Sequence, residues 1–382
     1  MTILLQRDLQ AWRDIGGLDT AEEIAQQPAL WRELGATLRS RAADVAAFLG
    51  SCLHNPQQRV ILTGAGSSCY VGEIVADELN AAWPAQVRAV ATTSLLTHPE
   101  LYLEPNAPTL LVSFARSGSS PESLAAVELV REVVADARFL NITCNPQGQL
   151  ARNADSGTRT FNLLMPAASC DRGFAMTSSF TCMLLAALCV LGKGEWQERL
   201  AALAQAGDAA LRDWAAPVAS LAAQPVQRVV YLGSGPLEAL AKEAALKILE
   251  LTGGRVLAMS NTALGFRHGP KSALNKQSLV ILFRSSKALS RRYEEDLLQE
   301  LQRDGVAGTV VTVGTESDIS VAAPALPAQL SDSWLAPLWL LMAQQYALHQ
   351  SAALGLTPDN PFADGTVNRV VQGVTIYRHD QF

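Results

Sequence analysis

The sequence predicts an α/β protein whose parallel β-sheets are covered by helices on both faces. Apolar segments with the length of strands alternate with segments of helical spacing along most of the chain, a pattern that favours parallel sheets. Part of this pattern occurs twice, because residues 60–67 resemble residues 229–236 and residues 110–114 resemble residues 279–283, in the same order. Two matching pairs indicate an internal repeat. The 382 residues are enough for two domains of ordinary size.

The first repeat follows a segment of helical spacing over residues 19–50. Its predicted strands cover residues 60–63, 87–91, 109–113, 139–143 and 160–164. Its predicted helices cover residues 69–82, 121–135 and 176–191.

The second repeat follows a helical connector over residues 195–223. Its predicted strands cover residues 229–232, 256–259, 279–283 and 309–313, and its predicted helices cover residues 236–251, 289–303 and 334–354. The chain is therefore expected to divide into a helical segment (1–50), a first domain (51–194), a helical connector (195–224), a second domain (225–356) and a C-terminal tail (357–382).

The composition argues against several classes of protein. Thirty Lys and Arg against 36 Asp and Glu give a net charge of −6, which argues against a non-specific nucleic-acid or membrane binder. The longest apolar run, residues 183–191, is far short of the ~20 residues that a bilayer requires. The N-terminus lacks the pattern of a signal peptide. Six cysteines without C-x-x-C spacing indicate buried thiols in a reducing compartment. We therefore expect a cytoplasmic protein without a metal site.

The predicted helix over residues 236–251 carries three charges on one face. Glu243, Lys247 and Glu250 follow each other at helical spacing, and the rest of the circumference is nearly all apolar. A helix of this kind is normally buried, so its charges must be paired or must line a cavity. The alternative is a surface ion pair between Glu243 and Lys247 with little energetic effect.

Two polar turns in the first repeat are candidate anion sites. Residues 64–68 end a strand and open a helix with Ser67 and Ser68, where backbone amides and the helix dipole favour an anion. In residues 117–122, Ser120 suits an N-cap and Pro121 suits the first helical position. The alternative is that these small residues only form tight turns and caps.

Competing motifs are absent from the sequence. The glycine pattern of a dinucleotide site fails because Cys69 stands where the third glycine would be, and there is no GxxxxGK[ST] loop or GxSxG elbow. The five histidines have no metal-binding spacing. We interpret four of them as structural, and only His268, within residues 267–271, as a candidate for proton transfer.

Four blocks of the sequence resemble the galactosamine-6-phosphate deaminase/isomerase family of amino-sugar catabolism, whose members are also called tagatose-6-phosphate ketose/aldose isomerases. The blocks are residues 117–123, 171–179, 265–271 and 365–373. The chain is also similar, over nearly its whole length, to the isomerase half of glucosamine-6-phosphate synthase. The resemblance implies two tandem sugar isomerase (SIS) domains, each a parallel five-stranded sheet between two layers of helices.

The resemblance also implies roles for the candidate catalytic residues. Glu250 would be the base that moves a proton between C2 and C1 of the sugar. Glu243 and Lys247 would orient Glu250 and stabilise the developing oxyanion. His268 would open the pyranose ring and would reach the active site of a neighbouring subunit, which makes a homodimer the smallest assembly.

A second set of implied roles concerns substrate binding. The resemblance assigns the sugar phosphate or other substrate contacts to Ser67, Ser68, Ser117, Ser119, Ser120 and Thr177. The synthase has a serine and a glutamine where this chain has Ala115 and Arg116. Arg116 is therefore expected to bind the phosphate with two donors or to contact a ring hydroxyl.

The implied reaction converts D-galactosamine 6-phosphate to D-tagatose 6-phosphate and ammonia, without a metal or redox cofactor. One alternative is an aldose–ketose isomerase that uses the same glutamate and histidine on a non-amino sugar phosphate. Another is a non-catalytic sugar-phosphate sensor, since a fold does not fix a function. The preference for a galacto over a gluco sugar follows from the resemblance alone.

Overall fold

The computed structural model describes residues 2–152, 158–319 and 330–379. The chain forms two compact units, each containing one of the two main sheets. Unit 1 consists of Met1–Ala29, Asp171–Thr177 and Gln197–Ala363, and unit 2 consists of Leu30–Cys170, Ser178–Trp196 and Asp364–Phe382. The domain limits expected from the sequence stay a prediction.

The elements of the first half alternate after an N-terminal helical region. The strands are β1 (Ile3–Leu4), β2 (Arg7–Asp8), β3 (Arg59–Thr63), β4 (Gln86–Ala89), β5 (Thr109–Ala115), β6 (Ala137–Thr143) and β7 (Thr160–Leu164). The helices are α1 (Leu9–Asp14), α2 (Leu18–Ala25), α3 (Gln27–Ser40), α4 (Ala42–Leu49), α5 (Ser67–Ala82), α6 (Thr92–Thr97), α7 (Pro121–Val133), α8 (Gln149–Arg152) and α9 (Ser178–Leu191).

The second half repeats the alternation after two connecting helices. The strands are β8 (Arg228–Leu232), β9 (Leu257–Asn261), β10 (Ser278–Phe283) and β11 (Thr309–Val313). The helices are α10 (Gln197–Asp213), α11 (Ala215–Ala222), α12 (Pro236–Leu251), α13 (Ala288–Asp304) and α14 (Asp332–Ala353).

Unit 2 contains a parallel sheet in the order β4-β3-β5-β6-β7. The central strand β5 is buried at every residue, as expected of a strand that helices cover on both faces. Helix α5 packs on β3 and β4, and α7 packs on β5 and β6. Apolar side chains of strands and helices, including Leu111, Val130 and Phe139, form the core beneath α7.

Unit 1 contains a parallel sheet in the order β11-β10-β8-β9. Strand β10 is buried throughout, and Val230, Phe266 and Leu282 belong to one core cluster. Helix α12 packs on β8 and β9 and also on the long helix α14. Contact with the sheet on one side and with α14 on another explains why almost the whole surface of α12 is buried.

The predicted fold class is confirmed, and every predicted helix and strand is present with limits that differ by a few residues at most. Two differences remain. The sheet of unit 1 has four strands in the described part of the chain, where the resemblance implied five, and residues 320–329 lie outside that part. The antiparallel pair β1–β2 and the short helices α1, α6 and α8 were not predicted.

The structure can be compared with the expectations about membrane segments and disulfide bonds that the composition gave. No helix in the described ranges combines the length and the apolar character needed to cross a membrane. The six cysteines are all within the described ranges, and none of them forms a disulfide bond.

Candidate active site

A glycine turn joins β8 to α12 and fixes where the helix begins. Gly235 has φ +58°, a conformation that favours glycine, and Pro236 occupies the first helical position. A Cβ atom on Gly233 would lie 2.1 Å from the carbonyl oxygen of Leu237, so a larger residue there would displace the helix. The turn therefore determines which residues of α12 share a face.

The three charged residues of α12 are joined by ion pairs. The ammonium nitrogen of Lys247 lies 3.2 Å from Oε1 of Glu243 and 2.6 Å from Oε2 of Glu250. The side chains of Glu243 and Lys247 are fully buried, whereas that of Glu250 is 21% exposed. The surface ion pair considered from the sequence is therefore excluded. The charged stripe runs from the interior of unit 1 to an accessible end at Glu250.

Lys247 keeps its charge in this buried position. Burial disfavours an ammonium and by itself would lower the pKa of Lys247, but Glu243 and Glu250 outweigh burial and raise that pKa above its ordinary value. The protonated lysine compensates the buried charge of Glu243 and holds one oxygen of Glu250 in place. A carboxylate that is fixed on one side and accessible on the other can act as a general base.

His268 lies on an exposed loop of unit 1, separate from α12 in the sequence. Short 3₁₀ turns over Gly265–Arg267 and Pro270–Ala273 flank it, and Gly269 has φ +122°, a conformation that L side chains rarely adopt. In the described part of the chain, the imidazole makes no hydrogen bond or ion pair. It is therefore accessible to a ligand or to a second subunit.

Ser67 and Ser68 occupy the first turn of α5 in unit 2, where the sequence predicted an anion site. Gly66 precedes them with φ +57°, and a Cβ atom on Gly64 would lie 2.5 Å from the backbone carbon of Ser68. Both serines are largely buried. The positive end of the helix dipole and the amides of this first turn favour an anion at the same place.

The second predicted turn connects β5 to α7 in the same unit. Ser120 is the N-cap residue and Pro121 the first helical residue, as predicted, but the Ser120 hydroxyl donates to Oγ of Ser123 at 2.7 Å and does not cap the helix. The amide of Ser119 donates to Oγ of Ser117 at 3.3 Å, and Gly118 between them has φ +63°.

The two serine turns leave the sheet of unit 2 at one edge. Their strands, β3 and β5, are parallel neighbours in which Thr63 stands opposite Ser113. Because the carboxyl ends of neighbouring parallel strands lie together, both turns face the crevice where ligands bind in open α/β sheets. The structure thus brings the five predicted serines to one edge, while their contact with a phosphate stays a prediction.

Arg116 has a partner that the sequence did not suggest. Its side chain is largely buried, and Nη2 donates a hydrogen bond to the backbone carbonyl of Arg369 in the C-terminal segment, at 3.2 Å. Both residues belong to unit 2. The guanidinium therefore links the second serine turn to the C-terminal segment, and its predicted contact with substrate stays a prediction.

Thr177 is fully buried in unit 1 and is engaged by Asp171. Its hydroxyl donates to Oδ1 of Asp171 and its backbone amide donates to Oδ2, each at 2.9 Å. Glu23, on α2, accepts the backbone amides of Arg172 and Gly173 at 2.5 and 3.2 Å. Burial and the nearby charge of Asp171 raise the pKa of Glu23 to about 8. The role of Thr177 as a substrate contact stays a prediction.

Sequence reasoning missed the structural importance of Glu23 and Asp171. Asp171 lies in one of the four blocks that carry the family resemblance and Glu23 lies in the N-terminal helical segment, but no local pattern pairs residues that are almost 150 positions apart. The only available signal was a charged residue on the apolar face of a predicted helix, because Glu23 lies between Ala21 and Ile24, which are fully buried in α2.

Comparison with known proteins identifies the family to which the chain belongs. The model of the SIS domain family matches residues 53–191, so the sheet of unit 2 with its serine turns is that of an SIS domain. The chain is 43% identical to the D-galactosamine-6-phosphate deaminase AgaS of Shewanella sp. (strain ANA-3), over 95% of this chain and 92% of that one. It is 44% identical to the D-galactosamine-6-phosphate deaminase AgaS of Escherichia coli, over 94% of this chain and 96% of that one.

A solved structure agrees with these relatives. The crystal structure of tagatose-6-phosphate ketose/aldose isomerase from Escherichia coli superposes with a TM-score of 0.86 at 39% identity, and the match covers 95% of this chain and 98% of that one. The chain belongs to the AgaS family of SIS-domain proteins, as the four sequence blocks predicted.

Proposed function

We propose that the protein is an amino-sugar-phosphate deaminase/isomerase that converts D-galactosamine 6-phosphate to D-tagatose 6-phosphate and ammonia. The observation that carries the proposal is the charged stripe of α12, in which only Glu250 is accessible and a buried lysine holds it. The names of the AgaS relatives supply the substrate, and the identity over nearly the whole chain supports its transfer to this protein.

The proposed reaction begins with ring opening at His268. The imidazole takes the proton of the anomeric hydroxyl, and the imidazolium so formed delivers a proton to the ring oxygen, so that the C1–O5 bond breaks and an aldehyde forms at C1. His268 suits this step because an imidazole exchanges protons near neutral pH and because its ring is exposed.

Glu250 then moves a proton between neighbouring carbons. It removes the proton from C2, which is acidic because C1 is an aldehyde, and an enolamine forms. Return of the proton to C1, with transfer of a proton from the nitrogen to the O1 oxyanion, gives a 2-imine. Water adds to the imine carbon and ammonia leaves, which gives the 2-ketose phosphate. Lys247 keeps Glu250 oriented throughout, and Glu243 keeps Lys247 charged.

We assign the 6-phosphate of the substrate to the serine turns of unit 2. Ser67 and Ser68 lie at a helix start, and Ser117, Ser119 and Ser120 lie at the neighbouring strand end. Hydroxyls and backbone amides are suitable donors for phosphate oxygens. Arg116 would add a cation beside them. We further propose a homodimer in which the exposed His268 serves the partner's site, since such exchange makes the interface reciprocal.

A second candidate has an observation of its own in favour. The Escherichia coli structure at 39% identity is named a tagatose-6-phosphate ketose/aldose isomerase. Glu250 and His268 could perform the same ring opening and proton transfer on a non-amino sugar phosphate, with no ammonia released. Ammonia therefore separates the two candidates.

The test measures ammonia and ketose phosphate together, from galactosamine 6-phosphate and separately from glucosamine 6-phosphate. The Glu250→Gln variant is expected to lose turnover by at least about 100-fold, because general base catalysis contributes that much. Glu238→Gln, in the first turn of the same helix, is the matched control. Ketose without ammonia, from a non-amino aldose phosphate, would select the isomerase. Binding of these sugars with no turnover would leave a sensor.

A further inference from the structure

The loop that carries His268 is anchored on both sides of the histidine. The guanidinium of Arg267 lies 2.9 Å from Oδ2 of Asp296 and 2.8 Å from Oε2 of Glu300. The ammonium of Lys271 pairs with Oε1 of Glu300 and lies 2.5 Å from Oδ2 of Asp304. The residue before His268 and the residue three positions after it are therefore both held by α13.

The acidic partners form one face of α13. Asp296, Glu300 and Asp304 follow each other at intervals of four residues, so they form a stripe along the helix. Glu300 is the central member and contacts both Arg267 and Lys271 while remaining only 20% exposed. Charges that are partly removed from water are screened less by salt than exposed pairs. The acidic residues of α13 therefore provide fixed ion-pair partners for the loop.

Little else in the described part of the chain fixes the imidazole. Gly269 follows His268 with φ +122°, and no heavy atom lies within 4 Å of the position of a Cβ on it, so side-chain packing does not hold this point. The imidazole itself has no hydrogen-bond or ion-pair partner in the described ranges. The place of the ring thus depends on the backbone. Buried Phe266 and the two short 3₁₀ turns hold this backbone from below, and the two anchors fix it on the α13 side.

We propose that Arg267, Lys271 and Glu300 are positioning residues that hold His268 where it can open the sugar ring. The proposal rests on the proposed function, in which His268 exchanges protons with the anomeric hydroxyl and the ring oxygen. Such proton transfer requires hydrogen-bond distance, and a displacement of about 1 Å can cost about 100-fold in rate. None of the three residues needs to touch the substrate for this role.

The first experiment measures the anchoring without any substrate. Amide hydrogen exchange of residues 264–274 is compared in the native protein, in Glu300→Gln and in Glu295→Gln. Glu295 is the matched control because it lies on α13 but pairs with Arg284, at 3.3 Å, and not with the loop. Glu300→Gln is expected to speed exchange of the loop about tenfold, and Glu295→Gln to leave it unchanged.

The second experiment measures kinetics with galactosamine 6-phosphate. Glu300→Gln is expected to lower kcat about tenfold with KM within about twofold, because the proton donor is displaced but the binding contacts remain. Arg267→Gln should behave similarly, and Arg267→Lys should recover most of kcat because it keeps a cation beside Glu300. The double variant Arg267→Gln/Glu300→Gln should lose no more than about twice the larger single loss, since both substitutions break the same contact between Arg267 and Glu300.

The outcomes separate this inference from the proposed function. If the native protein turns over no amino-sugar phosphate, the proposed function fails, and the exchange experiment alone decides whether the anchors hold the loop. Turnover by the native protein, with Glu300→Gln and Glu295→Gln equal in kcat, would overturn the positioning role. Should Glu300→Gln fail to fold, the comparison of Arg267→Gln with Arg267→Lys decides the question, and equal kcat in those two would overturn it.

Discussion

The two glycine turns that follow β3 and β8 have nearly the same conformation. Gly66 has φ 57° and ψ −131°, and Gly235 has φ 58° and ψ −129°. Gly64 lies two residues before Gly66, and Gly233 lies two residues before Gly235. A Cβ atom on either Gly64 or Gly233 would collide with the backbone of the helix that follows. Both helices that follow contain 16 residues. The internal repeat seen in the sequence is therefore also a repeat of backbone geometry.

The residues that follow these matching turns differ in chemistry. In unit 2 the helix opens with Ser67 and Ser68, which supply hydroxyls and amides. In unit 1 it opens with Pro236, which has no amide hydrogen, and Leu237, which is fully buried. One copy of the turn thus keeps the features of an anion site, and the other keeps only the tight junction.

Beyond the first turn the contrast is reversed, because the functional side chains now lie on α12 and not on α5. Counted from the first helical residue, the positions of Glu243, Lys247 and Glu250 in α12 correspond to Ile74, Glu78 and Ala81 in α5. Only the copy in unit 1 carries the buried charged stripe. Under the proposed function, one copy of the scaffold binds phosphate at its turn and the other carries the general base, Glu250, on its helix.

Lys247→Met tests the largest expected difference between the two helices. Removal of the ammonium leaves Glu243 buried without its cation, and breaking a buried ion pair costs about 3–5 kcal/mol of unfolding free energy. Urea unfolding at neutral pH measures the loss. Glu78→Gln, at the corresponding position of α5, should cost less than about 1 kcal/mol. Similar losses in both variants would contradict the contrast.

The second prediction concerns Glu23, a buried carboxyl group with a raised pKa and no buried lysine beside it. Unlike the ion-paired charges of α12, it should make the stability of the protein depend on pH. The pKa of Glu23 is raised from 4.5 to about 8, first by burial and then by Asp171. Below pH 4.5 the carboxyl is protonated in both states. Between pH 4.5 and about 8 the folded protein keeps a proton that the unfolded chain has released, so stability falls as pH rises through this window.

Glu23→Gln should therefore flatten the pH dependence of stability. The amide oxygen of the glutamine can still accept hydrogen bonds from the backbone amides of Arg172 and Gly173. At pH 8 the variant should be more stable than the native protein by roughly a few kcal/mol of unfolding free energy. Chemical unfolding at several pH values between 5 and 9 gives the two curves. Parallel curves would show that Glu23 does not titrate in this window.

The smallest expected effect tests the likeness of the two turns. Gly66→Ala and Gly235→Ala each place a side chain at positive φ where no heavy atom lies within 4 Å of the new Cβ. The cost is therefore that of backbone conformation alone, about 1–3 kcal/mol for this mirror-β region, and it should be the same in both. Thermal unfolding of the two variants side by side measures it. A difference larger than about 1 kcal/mol would indicate that the turns are not energetic equivalents.

Local patterns in the sequence were enough to predict α12 and its turn. The limits Pro236–Leu251 agree with the prediction because a glycine turn, a proline at the first position and apolar spacing all mark the same helix. The burial of the Glu243–Lys247 pair could not be read from the same residues. Spacing of four residues is identical in a surface pair and in a buried pair, and the burial depends on α14, about ninety residues further along the chain.

The N-terminal strand pair could not be predicted for a different reason. Its turn places Leu5 and Gln6 at φ 45° and 65°, where Gly, Asn or Asp would be expected. With two residues in each strand, there was also no periodicity to detect. The contacts of Arg267 and Lys271 with α13 were missed because they join residues about thirty positions apart through long side chains.

The graded exposure of the charged stripe has a consequence for covalent labelling of the native protein. An amine-directed reagent cannot reach Lys247, whose side chain has no exposed surface, so this lysine would be absent from a footprint of reactive amines. A sugar phosphate that carries an epoxide would meet Glu250 as the one accessible carboxylate of the stripe and could esterify it. In the native protein Glu250 would therefore be labelled and Lys247 would not, and Lys247 would become reactive only on unfolding.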